Sequence, residues 1–131
     1  MPREVVNVED VARLPAWSHA VITGPWIHVS GTCGAADDSF DLVPGGTGEQ
    51  TTQTLRNIER ILQACGASLD DVVHLDIYLL EMDDFHEFNT AYTAVFGEEN
   101  PPTRTTVSSP KLGPRGARVE INCVAYRGEG R

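Results

Sequence analysis

An arginine and a glutamate sit on two stretches of strand-like sequence near the end of this chain. Arg104 lies in Pro101-Pro102-Thr103-Arg104-Thr105-Thr106-Val107. Glu120 lies in Arg118-Val119-Glu120-Ile121-Asn122-Cys123-Val124-Ala125-Tyr126. On a half-buried strand, alternate side chains face opposite sides. A guanidinium grips a carboxylate through a two-pronged fork. A carboxylate holds and activates a water. Together the pair suggests a small site for a carboxylate-bearing molecule and hydrolysis without a metal. The bland alternative is a structural ion pair between strands.

Few other residues offer chemistry. His19, His28, His74 and His86 show no metal-ligand spacing, so no metal site is expected. No Gly-x-Ser-x-Gly elbow is present, which argues against a nucleophilic serine. Cys33, Cys65 and Cys123 are widely spaced and form no Cys-x-x-Cys motif, so neither disulfides nor zinc are indicated. Cys65 and Cys123 read as small buried hydrophobes. Cys33 follows Ser30-Gly31-Thr32 and is the one thiol placed to lie near a pocket. Asp37-Asp38 and Glu98-Glu99 read as solvated charges.

The elements that must position these residues come from 131 amino acids, the length of a single domain over residues 1–131. Nineteen acidic residues against 10 basic ones give a net charge of −9. That balance disfavours nucleic acid and anionic membranes as partners. There is no apolar run of membrane-spanning length and no leader-like start, so the expected address is cytoplasmic.

Residues 4–8 read as a short strand. Residues 19–23 and 26–30 flank Gly24-Pro25 as a hairpin. Residues 31–48 are rich in Gly, Asp, Ser and Pro and read as an exposed loop. From Glu49, Leu55, Ile58, Leu62 and Cys65 recur at helical spacing, with Gly66 at the stop. Residues 72–80 form the next strand, with Val73, Leu75, Ile77 and Leu79 on one side. Asp83-Asp84 start a second helix whose stripe is Phe85, Phe88, Tyr92, Val95 and Phe96, read as core. Residues 103–108 and 118–126 are the last strands, with a frayed tail from Arg127 to Arg131.

This order implies an α+β fold: one mixed sheet with two helices packed on one face. Val119, Ile121 and Cys123 alternate with Val124 and Tyr126 on the other side of the last strand. Apolar residues on both sides imply burial on both faces. Two helices cover only one of them, so a second copy of the chain is expected on the other.

In order and spacing the chain resembles the RidA/YjgF family of enamine and imine deaminases. The matching pieces are Trp26-Ile27-His28-Val29-Ser30-Gly31, Thr54-Leu55-Arg56-Asn57-Ile58, Ala64-Cys65-Gly66-Ala67-Ser68-Leu69-Asp70-Asp71-Val72-Val73, Phe85-His86-Glu87-Phe88-Asn89-Thr90-Ala91-Tyr92, Pro101-Pro102-Thr103-Arg104 and Val119-Glu120-Ile121. The resemblance implies a chorismate-mutase-like fold, a homotrimer, and pockets at subunit interfaces. It implies that Arg104 binds the substrate carboxylate and Glu120 places the attacking water. Ser30 and Gly31 would line the same pocket, with Asn89 nearby. The implied reaction is cofactor-free hydrolysis of 2-aminoacrylate-like enamines, through their imines, to 2-keto acids and ammonia.

Two departures concern the substrate. Trp17 stands where deaminating members often carry Tyr, and Thr106 where many carry Cys. Both are expected at the pocket. They leave open a larger imine substrate, or a binding module that senses small carboxylates. An endoribonuclease activity ascribed to some relatives is disfavoured by the acidic charge.

Overall fold

The computed structural model describes residues 2–128. Six strands run as β1 (Glu4–Val6), β2 (Ala20–Thr23), β3 (Trp26–Thr32), β4 (Val72–Leu79), β5 (Thr103–Ser108) and β6 (Val119–Tyr126). Two helices, α1 (Thr47–Ala64) and α2 (Phe85–Phe96), are inserted between them. The strands form one sheet in the order β1-β2-β3-β6-β4-β5. Only β4 and β5 pair in parallel, joined by the crossover through α2. The expected mixed α+β sheet is therefore what the chain forms. No described helix is long and apolar enough to cross a membrane.

The core lies between the sheet and the helices. Leu55, Ile58, Ile61 and Leu62 of α1 recur every three or four residues and are fully covered. They meet Ile27, Val29, Leu75, Ile77, Leu79, Val119, Ile121 and Cys123, the alternate positions of three strands. The opposite face of the sheet has no covering helix or strand among the described residues. It leaves Trp26, Val73, Val107 and Tyr126 each about two-fifths exposed (43, 41, 42 and 40%).

Several sequence expectations change. Val73 is exposed rather than core-facing, because the β4–β6 register shifts between Val72 and His74. This bulge turns Val72 inward in its place. In α2 only Phe88 and Tyr92 are buried, while Phe85 and Val95 stay exposed. The segment expected as an exposed loop over residues 31–48 is partly core: β3 continues to Thr32, and Cys33 and Ala35 are buried. The Asn57 amide of α1 causes this by donating to Cys33 O and Ala35 O at 3.1 and 3.0 Å. Asp83-Asp84 do lead into α2 as expected, with Asp84 at its N-cap, and the Asp84 carboxylate accepts from Thr47 Oγ1 at 2.8 Å. Arg127 is not frayed, since its guanidinium donates to Cys65 O at 2.8 Å. The rest of that expected frayed tail, from Glu129, lies outside the described residues.

Candidate functional site

Glu120 pairs with Tyr78 of β4 and so points to the sheet face away from the helices. It borders a cavity of about 380 Å³ beside the place where β3 loses register with β6, between Val29 and Thr32. That volume falls within the roughly 300–1,000 Å³ typical of small-molecule sites. Val11, Leu14, Trp17, Phe40 and Pro114 supply much of its apolar wall.

The Glu120 carboxylate lies between two glycines. A Cβ at Gly31 would meet Oε2 at 2.5 Å, and one at Gly113 would stand 3.8 Å from Oε1. The absent side chain at Gly31 is what lets the carboxylate occupy its place. Among the described residues no donor or cation pairs with it. Burial alone pushes its pKa above the ordinary glutamate range. A carboxylate so placed is a stronger base than a solvated one.

The walls are tied to the scaffold by buried polar side chains. His19 is 3% exposed and links the segment before β2 to the residues around Val11. Its Nδ1 accepts from Val8 N at 2.9 Å, so Nε2 carries the proton facing Ala12 O at 3.1 Å. Burial lowers its pKa and favours this neutral form. Arg13 donates to Trp17 O at 3.1 Å and so fixes the segment carrying the indole. Gln50 of α1 donates to Gly116 O at 3.1 Å and accepts from Arg118 N at 2.8 Å. It thereby pins the loop that brings Gly113 and Pro114 to the cavity.

Phe40 has φ +66°, an uncommon conformation for a bulky residue. Such a backbone costs about 1–3 kcal/mol and persists only where its surroundings hold it. Here Ala36 N donates to Asp41 O at 2.8 Å, and Ala35 bridges Leu42 on either side of the turn. The result sets the Phe40 ring edge-on to Trp17, centroids 6.4 Å apart. The Cys33 thiol also lines the cavity, but it is buried. Burial and then the nearby Glu120 charge push its pKa up, so it is a poor nucleophile.

Arg104 is elsewhere. It pairs with Leu75 of β4, whose side chain faces the helices. Leu75 and Tyr78 are three positions apart on one strand, so Arg104 and Glu120 face opposite sides of the sheet. Within one chain they form neither a common site nor an ion pair. Instead the guanidinium donates to Asn89 Oδ1 at 2.5 Å. Its carbon lies 4.6 Å from the Tyr92 ring centroid, 5.5 Å from Phe88 and 5.6 Å from Phe85. These four partners share one face of α2 by helical spacing. No carboxylate among the described residues pairs with Arg104, so most of its donors stay available.

The predicted residues thus fall into two groups. Trp17, Gly31 and Glu120 share the cavity, and Arg104 and Asn89 share a shallow cleft beside α2. Ser30 lines a neighbouring depression with Trp17, and its hydroxyl donates to Ser18 O at 2.6 Å. Thr106 pairs with Ile77 and stands on the Arg104 side of β5, away from the cavity. Among the described residues, no three His, Cys, Asp or Glu side chains gather to hold a metal. Sequence reading missed Phe40, Asn57, Gln50 and Pro114. The first carried no periodicity, and the others act only through tertiary contacts.

A family model described as Endoribonuclease L-PSP matches residues 9–127. The chain belongs to the RidA/YjgF family. RidA from the Antarctic bacterium Psychrobacter sp. PAMC 21119 superposes with a TM-score of 0.84 at 31% identity, covering 93% of this chain and 97% of that one. The 2-iminobutanoate/2-iminopropanoate deaminase of Rattus norvegicus is 35% identical over 127 residues, 96% of this chain and 91% of the rat protein. A RutC family protein of Pyrococcus abyssi is 34% identical over 128 residues, 97% of this chain and 99% of its own length.

Proposed function

We propose that this protein is a cofactor-independent hydrolase of reactive 2-imino acids and their enamine tautomers. The observation that carries this reading is the unpaired, half-buried Glu120 carboxylate at the edge of an apolar cavity. The deaminase names of relatives at about 35% identity support it. An imine carbon is already electrophilic, so placing water beside it is most of the task. Glu120 takes a proton from water as the water oxygen bonds to the carbon of the protonated imine, giving a neutral carbinolamine. Glu120 then returns that proton to the nitrogen, and the C–N bond breaks to release ammonia. The hydroxyl oxygen loses its proton to solvent as it becomes the keto group of a 2-keto acid.

The substrate carboxylate needs a cation, and Arg104 faces away from Glu120 in the same chain. A homotrimer would resolve this by setting Arg104 of one copy against Glu120 of the next. Two features support it: neither charge has an oppositely charged partner among the described residues, and the sheet face bearing Glu120 exposes large apolar residues. In a closed ring each interface is heterologous. Arg104→Ala and Glu120→Ala, each inactive alone, should regain about a quarter of wild-type activity when randomly mixed as trimers. No recovery in verified mixed trimers would place both groups in one chain's site. Three free, buried cysteines suit a reducing compartment such as the cytoplasm.

The first test is keto-acid release from 2-aminoacrylate or 2-iminobutanoate generated in situ by a serine or threonine dehydratase. Wild type should exceed the spontaneous rate. Arg104→Ala should lose about a hundredfold or more in kcat/KM, as expected when one partner of a desolvated charge pair is removed. A folded wild type that binds 2-keto acids without accelerating release would make this a carboxylate-sensing module instead. The family description favours a second reading, RNA cleavage. The net charge of −9 opposes it, and cleavage surviving rigorous nuclease removal would restore it.

A further inference from the structure

Resting on that proposed reaction, we infer that the preferred substrate is a 2-imino acid with a bulky apolar side chain, branched or aromatic, seated between Trp17 and Phe40. The cavity is far larger than a three-carbon imino acid requires, at about 380 Å³. Its wall beyond Glu120 is built from Val11, Leu14, Trp17, Phe40 and Pro114. Desolvation of an apolar group against such a wall is the main recognition available there.

Two of the polar side chains that reach the cavity, Asn57 and Thr32, are already engaged. The Asn57 amide donates to Cys33 O and Ala35 O, and its oxygen accepts from Gln53 at 3.0 Å. Thr32 donates to Ser30 O at 2.8 Å. Burial keeps the Cys33 thiol neutral. Apart from the catalytic carboxylate and the Trp17 indole N–H, no free side-chain donor among the cavity-lining residues greets a polar substituent, and no Lys or Arg lines the wall. A carboxylate on the substrate side chain would therefore lose its hydration beside Glu120 with no cation in the wall to replace it.

Phe40 supplies an independent argument. It is a bulky residue held at φ +66° by the bonds across its turn, and this conformation presents its ring edge-on to Trp17. A turn that needed only a left-handed residue would be served better by Gly or Asn. The ring itself is what the position supplies, and its role is to form the second aromatic wall.

The test uses imino acids released by an L-amino acid oxidase from alanine, leucine, phenylalanine and glutamate, with semicarbazide trapping as the competing readout. The full-length oligomer should process the leucine- and phenylalanine-derived imines with kcat/KM at least about tenfold above the alanine-derived one. The glutamate-derived imine should be the poorest. Phe40→Ala should reduce the phenylalanine-to-alanine ratio about tenfold, and Phe40→Leu should keep much of it. Equal rates across the series, or a preference for the alanine-derived imine, would overturn this inference and leave the proposed reaction standing. No acceleration of any imine would sink the reaction itself and this inference with it. If Phe40→Ala fails to fold, the wild-type series alone decides the matter. Product inhibition gives a second reading: phenylpyruvate should inhibit at lower concentration than pyruvate, and the reverse order would overturn the proposal.

Discussion

Glu120 is under two constraints that pull in opposite directions. Its burial weakens the charged form, and its proposed task requires that form. Activity should therefore rise with pH along a limb set by Glu120, centred above the ordinary glutamate value. Glu120→Gln should remove that limb and lower kcat by about 10²–10⁴, the usual contribution of a positioned base. The same substitution should stabilise the fold at neutral pH. The folded-state pKa is raised, so the penalty is absent below the ordinary glutamate value and fully felt once pH passes the elevated one. Thermal unfolding of both forms across pH should show curves that merge in acid and separate above it. Gly31 tests the same carboxylate by geometry. A methyl there would meet Oε2 at 2.5 Å and Cδ at 3.1 Å, so the flexible carboxylate must move rather than the backbone. Gly31→Ala should lower kcat about a hundredfold through misplacement, with little change in thermal stability. An unaltered kcat would show that Glu120 does not act where it stands.

At the scale of elements, α1 does two jobs from two faces. Leu55, Ile58 and Leu62 build the core, which sequence periodicity made legible. Thr47, Gln50, Thr51, Thr54 and Asn57 are buried as well, although by type they read as solvent-facing. Thr51 and Thr54 return their hydroxyls to carbonyls one turn back, and Thr47 donates to Asp84. Gln50 and Asn57 instead reach loop carbonyls brought from distant sequence, which no local pattern encodes. Asn57→Ala would leave two buried carbonyls, Cys33 O and Ala35 O, without their donor. It should cost roughly 2–3 kcal/mol, read by denaturant unfolding, since each orphaned group carries its own desolvation penalty. The cavity wall should loosen with it, so KM should rise more than kcat falls. The Val72–His74 bulge was hidden for a related reason. A run of Val-Val-His-Leu fits continuous alternation, and only pairing with β6 shows where the register slips.

At the scale of the whole molecule, Arg104 and Glu120 were legible as residues, but their relation was not. Which face each one takes is set by its partner on β4, Leu75 in one case and Tyr78 in the other. That parity is a property of the assembled sheet and not of either strand alone. The uncovered face, by contrast, was anticipated from β6, where Val124 and Tyr126 oppose the core positions. Val124 sits mid-sheet, between His28 of β3 and His74 of β4, with no helix or strand among the described residues over it. A charge there should be tolerated in the isolated chain, because it remains open to water. It would not be tolerated at a packed interface, where an unpaired carboxylate loses its hydration. Val124→Glu should therefore give a folded monomer by light scattering and circular dichroism, with imine hydrolysis lost even though every proposed site residue is intact. An active monomer would show that one chain suffices and that the Arg104 cleft serves another purpose. A trimer unaffected by the substitution would move the interface off this face of the sheet.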